Sequence, residues 1–166
     1  MKIITLVGRS NSGKTMTLKT LIFQLLHNGG KLNYQRPSRM RKDYFLSYEN
    51  AERLETVFLE QMKQPSTCDT IADLTAKFDY HGKTVAITTT GDTKECIKNR
   101  YDKCQPCDIF VCASHNTEVA ISYLESLGEV TYIPQCAIER TKDAAAMVAA
   151  ILKRNESVTN EIRNKI

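Results

Sequence analysis

Apolar residues follow the spacing of strands and helices along most of the chain. Four apolar side chains fall within residues 2–7 and are followed by Gly8, which predicts a short buried strand. Beyond the next loop, apolar residues recur every third or fourth position over 18–26 and give one face of a helix. Residues 28–30, Asn-Gly-Gly, tolerate the left-handed conformation in which helices often end. The amino end therefore predicts a strand, a loop and a helix.

The middle of the chain predicts a connection, a helix and a hairpin. Residues 31–46 show no apolar period and are rich in Arg, Lys and Tyr, which indicates a mobile basic connection. A helix is expected from a cap at Ser47 to about residue 64. Apolar and polar side chains then alternate over 72–80, and a continuous apolar run follows at 85–87 after a His-Gly turn. These two segments predict an antiparallel β-hairpin.

The last part of the chain alternates strand and helix. Helices are expected at about 93–103, 116–127 and 142–154, the last capped by Thr141, strands at 108–113 and 130–133, and a polar tail over 155–166. This alternation predicts right-handed crossovers between parallel strands. The expected fold is a single α/β domain over residues 1–166, a three-layer sandwich whose mostly parallel five-stranded sheet carries one antiparallel hairpin.

The composition agrees with a single globular domain, and the distribution of charge adds a prediction about the partner. With 42% apolar and 25% charged residues, the chain resembles an ordinary globular domain. It has neither a leader pattern nor the roughly 18 consecutive apolar residues of a membrane span, so a cytoplasmic protein without membrane contact is expected. The net charge is +4, and the positive excess lies in the first 66 residues. Five cations crowd into residues 31–42, which predicts a phosphate-bearing partner.

A phosphate-binding motif lies between the first predicted strand and the first predicted helix. Residues 8–15 read Gly-Arg-Ser-Asn-Ser-Gly-Lys-Thr and fit the pattern G-x-x-x-x-G-K-S/T in full. The glycines let the backbone approach phosphate oxygens, and inward amides at a helix N-terminus bind anions. The lysine sets a cation against the β and γ phosphates, and the threonine hydroxyl can ligate Mg²⁺. The expected nucleotide-binding residues are Gly8, Ser10, Asn11, Ser12, Gly13, Lys14, Thr15 and Met16.

With this motif complete, the sequence resembles the P-loop NTPase superfamily. The resemblance covers these eight residues and the alternation of strands and helices. It implies a second motif, an apolar strand followed by an acid that holds Mg²⁺ through water. The best candidate runs from Val85 to Asp92, which makes Thr15 and Asp92 the expected metal site. The alternative is that Asp92 only caps the following helix.

The order of elements is also similar to that of small GTPase-like domains. In those domains a D-x-x-G sequence ends the strand after the hairpin, whereas Thr88 stands here in place of the Asp. Neither later strand is followed by an N-K-x-D sequence that would recognise guanine. We therefore expect ATP with Mg²⁺ and leave GTP open.

Three functions are compatible with these features. The first is a nucleoside triphosphatase that hydrolyses ATP, with Lys14 and Arg39 as catalytic residues and with nucleotide state coupled to a protein partner through 31–46 and 88–95. The second is a small kinase that passes the γ-phosphate to a nucleotide or metabolite. The third is a nucleotide-binding adaptor with little turnover, since the switch Asp is missing at Thr88. Nucleic acid stays open as a partner but is not favoured, because no binding motif for it is present.

Two weaker signals leave alternatives open. Cys104 and Cys107 have CxxC spacing, but a chain with six cysteines often shows it by chance, so reduced thiols are expected before zinc or redox chemistry. Val158, Ile162 and Ile166 are four residues apart in the tail. Such a stripe covers the domain's own core or docks a partner.

Overall fold

One sheet with helices on both faces makes up the described part of the protein. The computed structural model describes residues 1–10, 12–37, 46–47, 50–63, 73–91, 93–138 and 143–166. Its strands and helices are, in chain order, β1 (Lys2–Val7), α1 (Lys14–His27), β2 (Lys31–Pro37), α2 (Ala51–Lys63), β3 (Leu74–Tyr80), β4 (Lys83–Thr88), α3 (Lys94–Cys104), β5 (Ile109–Ser114), α4 (Glu118–Leu127), β6 (Glu129–Pro134) and α5 (Ala144–Arg163).

The sheet is mixed and has six strands in the order β2-β3-β4-β5-β1-β6. β4, β5, β1 and β6 run parallel to one another, whereas β3 is antiparallel to both of its neighbours. The predicted α/β class is confirmed. The strand count is corrected from five to six, and the additional strand is β2.

Two clusters of buried side chains cover the two faces of the sheet. Ile4 and Leu6 of β1 belong to the larger cluster, which includes residues of α1, α2 and α5. Ile3, between them in sequence, belongs to the smaller cluster with α3 and α4. Successive residues of a strand point to opposite faces, so β1 is buried on both sides. This explains why its sequence is a continuous apolar run rather than an alternating one.

The expected connection over 31–46 is wrong for residues 31–37, which form the edge strand β2. This strand pairs with β3 in antiparallel register, with an irregularity after Leu32. Leu32 packs against the main cluster, while Lys31 and Arg36 are exposed. Backbone pairing rather than a buried face holds the strand, so the apolar pattern could not reveal it. Residues 38–45 lie outside the described ranges.

The predicted hairpin is confirmed. β3 and β4 pair through a turn at His81 and Gly82, both of which have positive φ, 49° and 75°. Two consecutive left-handed residues make the tight turn whose twist matches that of the strands. The alternating apolar positions of β3 face the core, and all four are buried: Leu74, Ala76, Phe78 and Tyr80.

The expected polar tail is largely the second half of α5, which runs unbroken to Arg163. Its N-cap is Asp143, whose carboxylate accepts the amides of residues 145 and 146 at 2.9 and 3.1 Å. The expected cap, Thr141, lies outside the described residues. Ile162 is fully buried, and Val158 and Ile166 pack beside it on the main cluster. The tail stripe thus covers the domain's own core. Within the described ranges, no helix has the length and apolarity to cross a membrane.

Candidate phosphate-binding site

Residues 8–15, called the motif loop below, lie at the carboxyl edge of the parallel strands. Val7 at the end of β1 is level with Ser114 at the end of β5 and with Pro134 at the end of β6. The carboxyl ends of three parallel strands therefore meet beside the loop. Open α/β sheets bind their ligands at this edge.

Gly13 is the residue at which the loop turns into α1. Its backbone is left-handed, with φ 87° and ψ 15°, and no side chain caps the helix from this position. A Cβ atom here would lie 2.3 Å from Nη2 of Arg154, so any other residue would strain the backbone and also displace the guanidinium. Because the N-cap residue has no side chain, it cannot accept hydrogen bonds from the first amides of α1. An anion can accept them instead.

Gly8 is required by packing at the other end of the loop. A Cβ atom on it would lie 2.4 Å from the carbonyl oxygen of Gln135 and 2.8 Å from Oγ of Ser12. Gln135 follows β6 directly, and its amide donates to the carbonyl of Val7 at 2.8 Å. The loop is therefore pressed against the β6–α5 connection, and only glycine allows this approach.

The side chain of Lys14 lies inside the motif loop. Its Nζ donates to the carbonyl oxygens of Gly8 and Arg9 at 2.8 and 2.9 Å, and the residue is only 6% exposed. Burial of an ammonium is costly unless its protons find acceptors, which these carbonyls provide. The result is a fixed positive charge beside the N-terminus of α1, where the helix dipole also favours anions.

Thr15 links the motif loop to the end of β4. Its hydroxyl donates to the carbonyl oxygen of Thr89 at 3.3 Å. A hydroxyl that donates its proton in this way still has oxygen lone pairs, which is what Mg²⁺ requires. Met16, also predicted to bind nucleotide, packs against the main cluster, so only its backbone could contribute to binding.

The two serines of the motif loop differ in their surroundings. Ser10 is exposed, whereas Ser12 is 1% exposed. The Ser12 amide donates to the carbonyl of Arg9 at 3.2 Å, a long bond that a phosphate would have to replace. Its hydroxyl is buried and has no hydrogen-bond partner among the described residues.

Hydroxyl groups surround the end of β4, where the resemblance would place an aspartate. Oγ1 of Thr88 is buried and lies 3.1 Å from Oγ1 of Thr75 and 3.1 Å from Oγ1 of Thr90. The neighbouring Thr89 hydroxyl donates to Oδ1 of Asp73 at 3.0 Å. Asp73 is half-buried in this network. It stands at the carboxyl edge because β3 runs antiparallel, so its beginning meets the end of β4.

Three predicted site residues, Asn11, Arg39 and Asp92, lie outside the described residues. The described residues near Arg39 and Asp92 show where the chain runs on either side of them. β2, which precedes Arg39, ends at Pro37 and is four strands away from β1 in the sheet. The residue after Asp92 caps α3, since the Thr93 side chain accepts the amide of residue 96 at 3.2 Å. The capping role considered for Asp92 is therefore filled by its neighbour.

A buried polar network beneath the motif loop was not predicted. Arg154 of α5 donates from Nη1 to the Ser12 carbonyl at 2.8 Å and from Nη2 to Oδ1 of Asn155 at 2.9 Å. Gln135 donates to the same Ser12 carbonyl at 3.3 Å and to Oγ1 of Thr17 at 2.7 Å. The Thr17 hydroxyl in turn donates to Oδ1 of Asn155 at 2.9 Å. Burial lowers the pKa of Arg154, as expected for a guanidinium withdrawn from water.

This network is assembled from residues far apart in the sequence. Arg154 lies 142 positions after Ser12, and Gln135 lies 118 positions after Thr17. A local pattern contains no trace of such contacts. The one available signal was the position of Gln135 directly after a predicted parallel strand, at the edge where ligands bind.

Burial disfavours the thiolate form at both cysteines of the CxxC pair. Cys104 is fully buried, and burial raises its pKa to about 11. Burial also raises the pKa of Cys107. Both shifts oppose the thiolate form that zinc binding and disulfide exchange require. In the described ranges no three His, Cys, Asp or Glu side chains are grouped to hold a metal ion.

Comparison with known proteins assigns no family to this chain. No protein-family model matches it, and no curated protein or solved structure gives a match. The function of the site must therefore be inferred from its own geometry.

Proposed function

We propose that the protein binds a nucleoside triphosphate with Mg²⁺ at the motif loop and hydrolyses it. The observation that carries this proposal is the position of the Lys14 ammonium, bonded to the carbonyls of Gly8 and Arg9 beside the glycine-capped N-terminus of α1. A lysine charge and a helix dipole reinforce each other there. A loop that only connects a strand to a helix needs neither a buried lysine nor an N-cap without a side chain. A phosphate-binding loop uses both.

The contacts of Lys14 and Thr15 support a role for each of them. The amides at the start of α1 bind phosphate oxygens, and Lys14 neutralises the charge that develops on them during transfer. Thr15 would hold Mg²⁺ through a lone pair of its hydroxyl oxygen while the hydroxyl proton is donated to the Thr89 carbonyl oxygen. A metal ion held there would supply Lewis-acid stabilisation of the negative charge on the phosphate group. Asp92 is proposed to hold it through water, and Arg39 to stabilise the transferring group.

The segment after β4 is the proposed link to a partner. The carbonyl oxygen of Thr89 accepts a hydrogen bond from the Thr15 hydroxyl. Gly91 packs closely on β5, since a Cβ atom on it would lie 1.8 Å from the carbonyl oxygen of Ala113. The chain here is therefore held between the motif loop and β5. A change at the phosphates would be passed through Thr15 to residues 88–95, while residues 31–46 supply the basic surface. ATP is the proposed nucleotide, with GTP as the alternative to be tested.

One observation favours a second candidate, a nucleotide-binding adaptor with little turnover. Thr88 stands where a switch aspartate would be, and its hydroxyl is buried against Thr75 and Thr90. A threonine neither accepts a proton nor carries the negative charge that binds the shell of waters around Mg²⁺. Both the triphosphatase and the adaptor would bind the nucleotide, so the rate of hydrolysis distinguishes them.

The test combines a binding measurement with the fate of a labelled phosphate. Titration calorimetry with ATP and with GTP, each with Mg²⁺, is compared for wild type, Lys14→Ala and Lys153→Ala. The last is a matched control because Lys153 is an exposed lysine of α5. Lys14→Ala should bind on the order of a hundredfold more weakly, since it loses charge-assisted contacts of about 1.5–3 kcal/mol each. Equal affinities of Lys14→Ala and wild type would overturn the proposal.

Labelled ATP then separates the functions that share this binding. Wild-type protein is incubated with γ-labelled ATP and Mg²⁺, with and without a panel of nucleoside monophosphates. Free phosphate in the absence of an acceptor supports hydrolysis. Label on a monophosphate supports the kinase alternative, and tight binding without turnover supports the adaptor.

A further inference from the structure

The peptide group between Ser12 and Gly13 is held from one side by two donors. The Ser12 carbonyl receives Nη1 of Arg154 at 2.8 Å and Nε2 of Gln135 at 3.3 Å. Ser12 and Gln135 are 1% and 4% exposed, so water does not compete for this carbonyl. Two donors from separate segments of the chain thus determine which way one loop carbonyl points.

The orientation of that carbonyl determines the orientation of the next amide. In a planar trans peptide the C=O and the following N–H point in opposite directions. The Ser12 carbonyl points toward the guanidinium of Arg154, so the Gly13 amide points away from it. This is the direction that leaves the amide available to a phosphate in the motif loop.

The local chain cannot maintain this orientation by itself. Glycine occupies positive and negative φ about equally well, so the value of 87° at Gly13 is not preferred by the residue. A rotation of the Ser12–Gly13 peptide would turn the carbonyl into the loop and the amide out of it. A carbonyl in that place would repel phosphate. The tertiary contacts to the carbonyl are what oppose this rotation.

Arg154 is itself held in place. Its Nη2 donates to Oδ1 of Asn155, which also accepts the Thr17 hydroxyl from α1. Its Nη1 also donates to the carbonyl of Cys136 at 3.2 Å. The planar guanidinium therefore connects α5, the β6–α5 connection and the motif loop in one arrangement, which a single ammonium could not reproduce.

We infer that Arg154 is a positioning residue for phosphate binding: it holds the Ser12 carbonyl outward so that the Gly13 amide points into the motif loop. The role in binding rests on the proposed function, whereas the orientation of the peptide does not. The two parts can therefore be tested separately on the same samples.

The orientation is measured on protein labelled with ¹⁵N-glycine. The chain has seven glycines, so seven backbone amide signals report on known positions. Residual dipolar couplings are recorded without ligand for wild type, Arg154→Ala, Arg154→Met and the control Lys153→Ala. In Arg154→Ala the Gly13 coupling should change while those of Gly29 and Gly82, remote from the loop, stay as in wild type. Lys153→Ala should leave all seven unchanged.

The result that overturns the orientation is an unchanged Gly13 coupling in folded Arg154→Ala. If Arg154→Ala does not fold, Arg154→Met decides. Methionine keeps a side chain of similar length but has no donor for the Ser12 carbonyl, so a Gly13 coupling equal to that of wild type overturns the inference.

Binding is then followed on the same signals with inorganic pyrophosphate and with ATP plus Mg²⁺. Arg154→Ala should bind about tenfold or more weakly, because one amide contact to a charged group is lost. Guanidinium ion at low millimolar concentration should restore part of this affinity in Arg154→Ala and have no effect in wild type. Affinity within twofold of wild type would overturn the role in binding. If wild type itself binds neither probe, the proposed function fails, while the couplings still decide the orientation.

Discussion

Replacing Gly13 by alanine tests whether the start of α1 is shaped by its contact with α5. Gly13 has a φ of 87°, and a Cβ atom there would lie 2.3 Å from Nη2 of Arg154. A left-handed alanine costs about 1–2 kcal/mol. The guanidinium would also have to move, weakening its bonds to the Ser12 carbonyl and to Asn155. Bonds to charged groups contribute about 1.5–3 kcal/mol, so we expect a total loss near 3–5 kcal/mol.

The chain contains a matched control for this substitution. Gly29, at the other end of α1, has a φ of 83°, and a Cβ atom on it would meet nothing within 4 Å. Gly29→Ala therefore carries the same backbone strain without the collision. It should cost only the about 1–2 kcal/mol of a left-handed alanine.

Urea unfolding followed by circular dichroism measures both variants. A domain with a free energy of unfolding of about 10 kcal/mol, the middle of the usual range, should still fold with either substitution. The double variant Gly13→Ala/Arg154→Ala closes a thermodynamic cycle. In the Arg154→Ala background the alanine at position 13 should cost no more than at position 29. Equal losses for Gly13→Ala and Gly29→Ala in the wild-type background would refute the argument that Arg154 packs against the loop.

Three further predictions concern single side chains. If Thr15 holds Mg²⁺ as proposed, Thr15→Val should abolish the Mg²⁺ dependence of nucleotide binding, whereas Thr15→Ser, which keeps the hydroxyl oxygen, should retain it. Calorimetry with and without Mg²⁺ checks this. Thr88→Asp should lower the free energy of unfolding by roughly 3 kcal/mol rather than speed hydrolysis, since the site is fully buried and offers the new charge only hydroxyls. Cys104 has a pKa raised to about 11 and therefore stays a protonated thiol at pH 8. It should resist iodoacetamide in the folded protein, whereas the exposed Cys96 should be labelled. Peptide mass spectrometry distinguishes the two.

Elements whose signal is local could be predicted from the sequence. The strand β1 has a continuous apolar run and the helix α1 a clear apolar period, and the eight residues from the end of β1 into the first turn of α1 match a known motif. The hairpin has alternating apolar positions and a His-Gly turn. In each case the residues that determine the structure are neighbours in the chain, so their spacing contains the information.

Elements held by distant contacts could not be predicted in this way. β2 is an edge strand whose backbone pairs with β3, and pairing of backbones leaves no mark on side-chain spacing. The second half of α5 looked like a polar tail because Asn155 and Thr159 interrupt its apolar face. Both side chains are buried and hydrogen-bonded in the folded protein. Asp73 reaches the site only because an antiparallel strand starts where a parallel strand ends.

The sequence by itself determined the class of fold and the residues proposed to bind a phosphate, because a glycine, a lysine and a helix start act over a few neighbouring positions. Only the tertiary structure decided how the motif loop is held. Arg154 and Gln135 fix the Ser12 carbonyl from segments more than a hundred residues away. The physical reason is that glycine gives the loop the freedom to approach a ligand but no preferred conformation. Contacts from the rest of the fold must supply that preference.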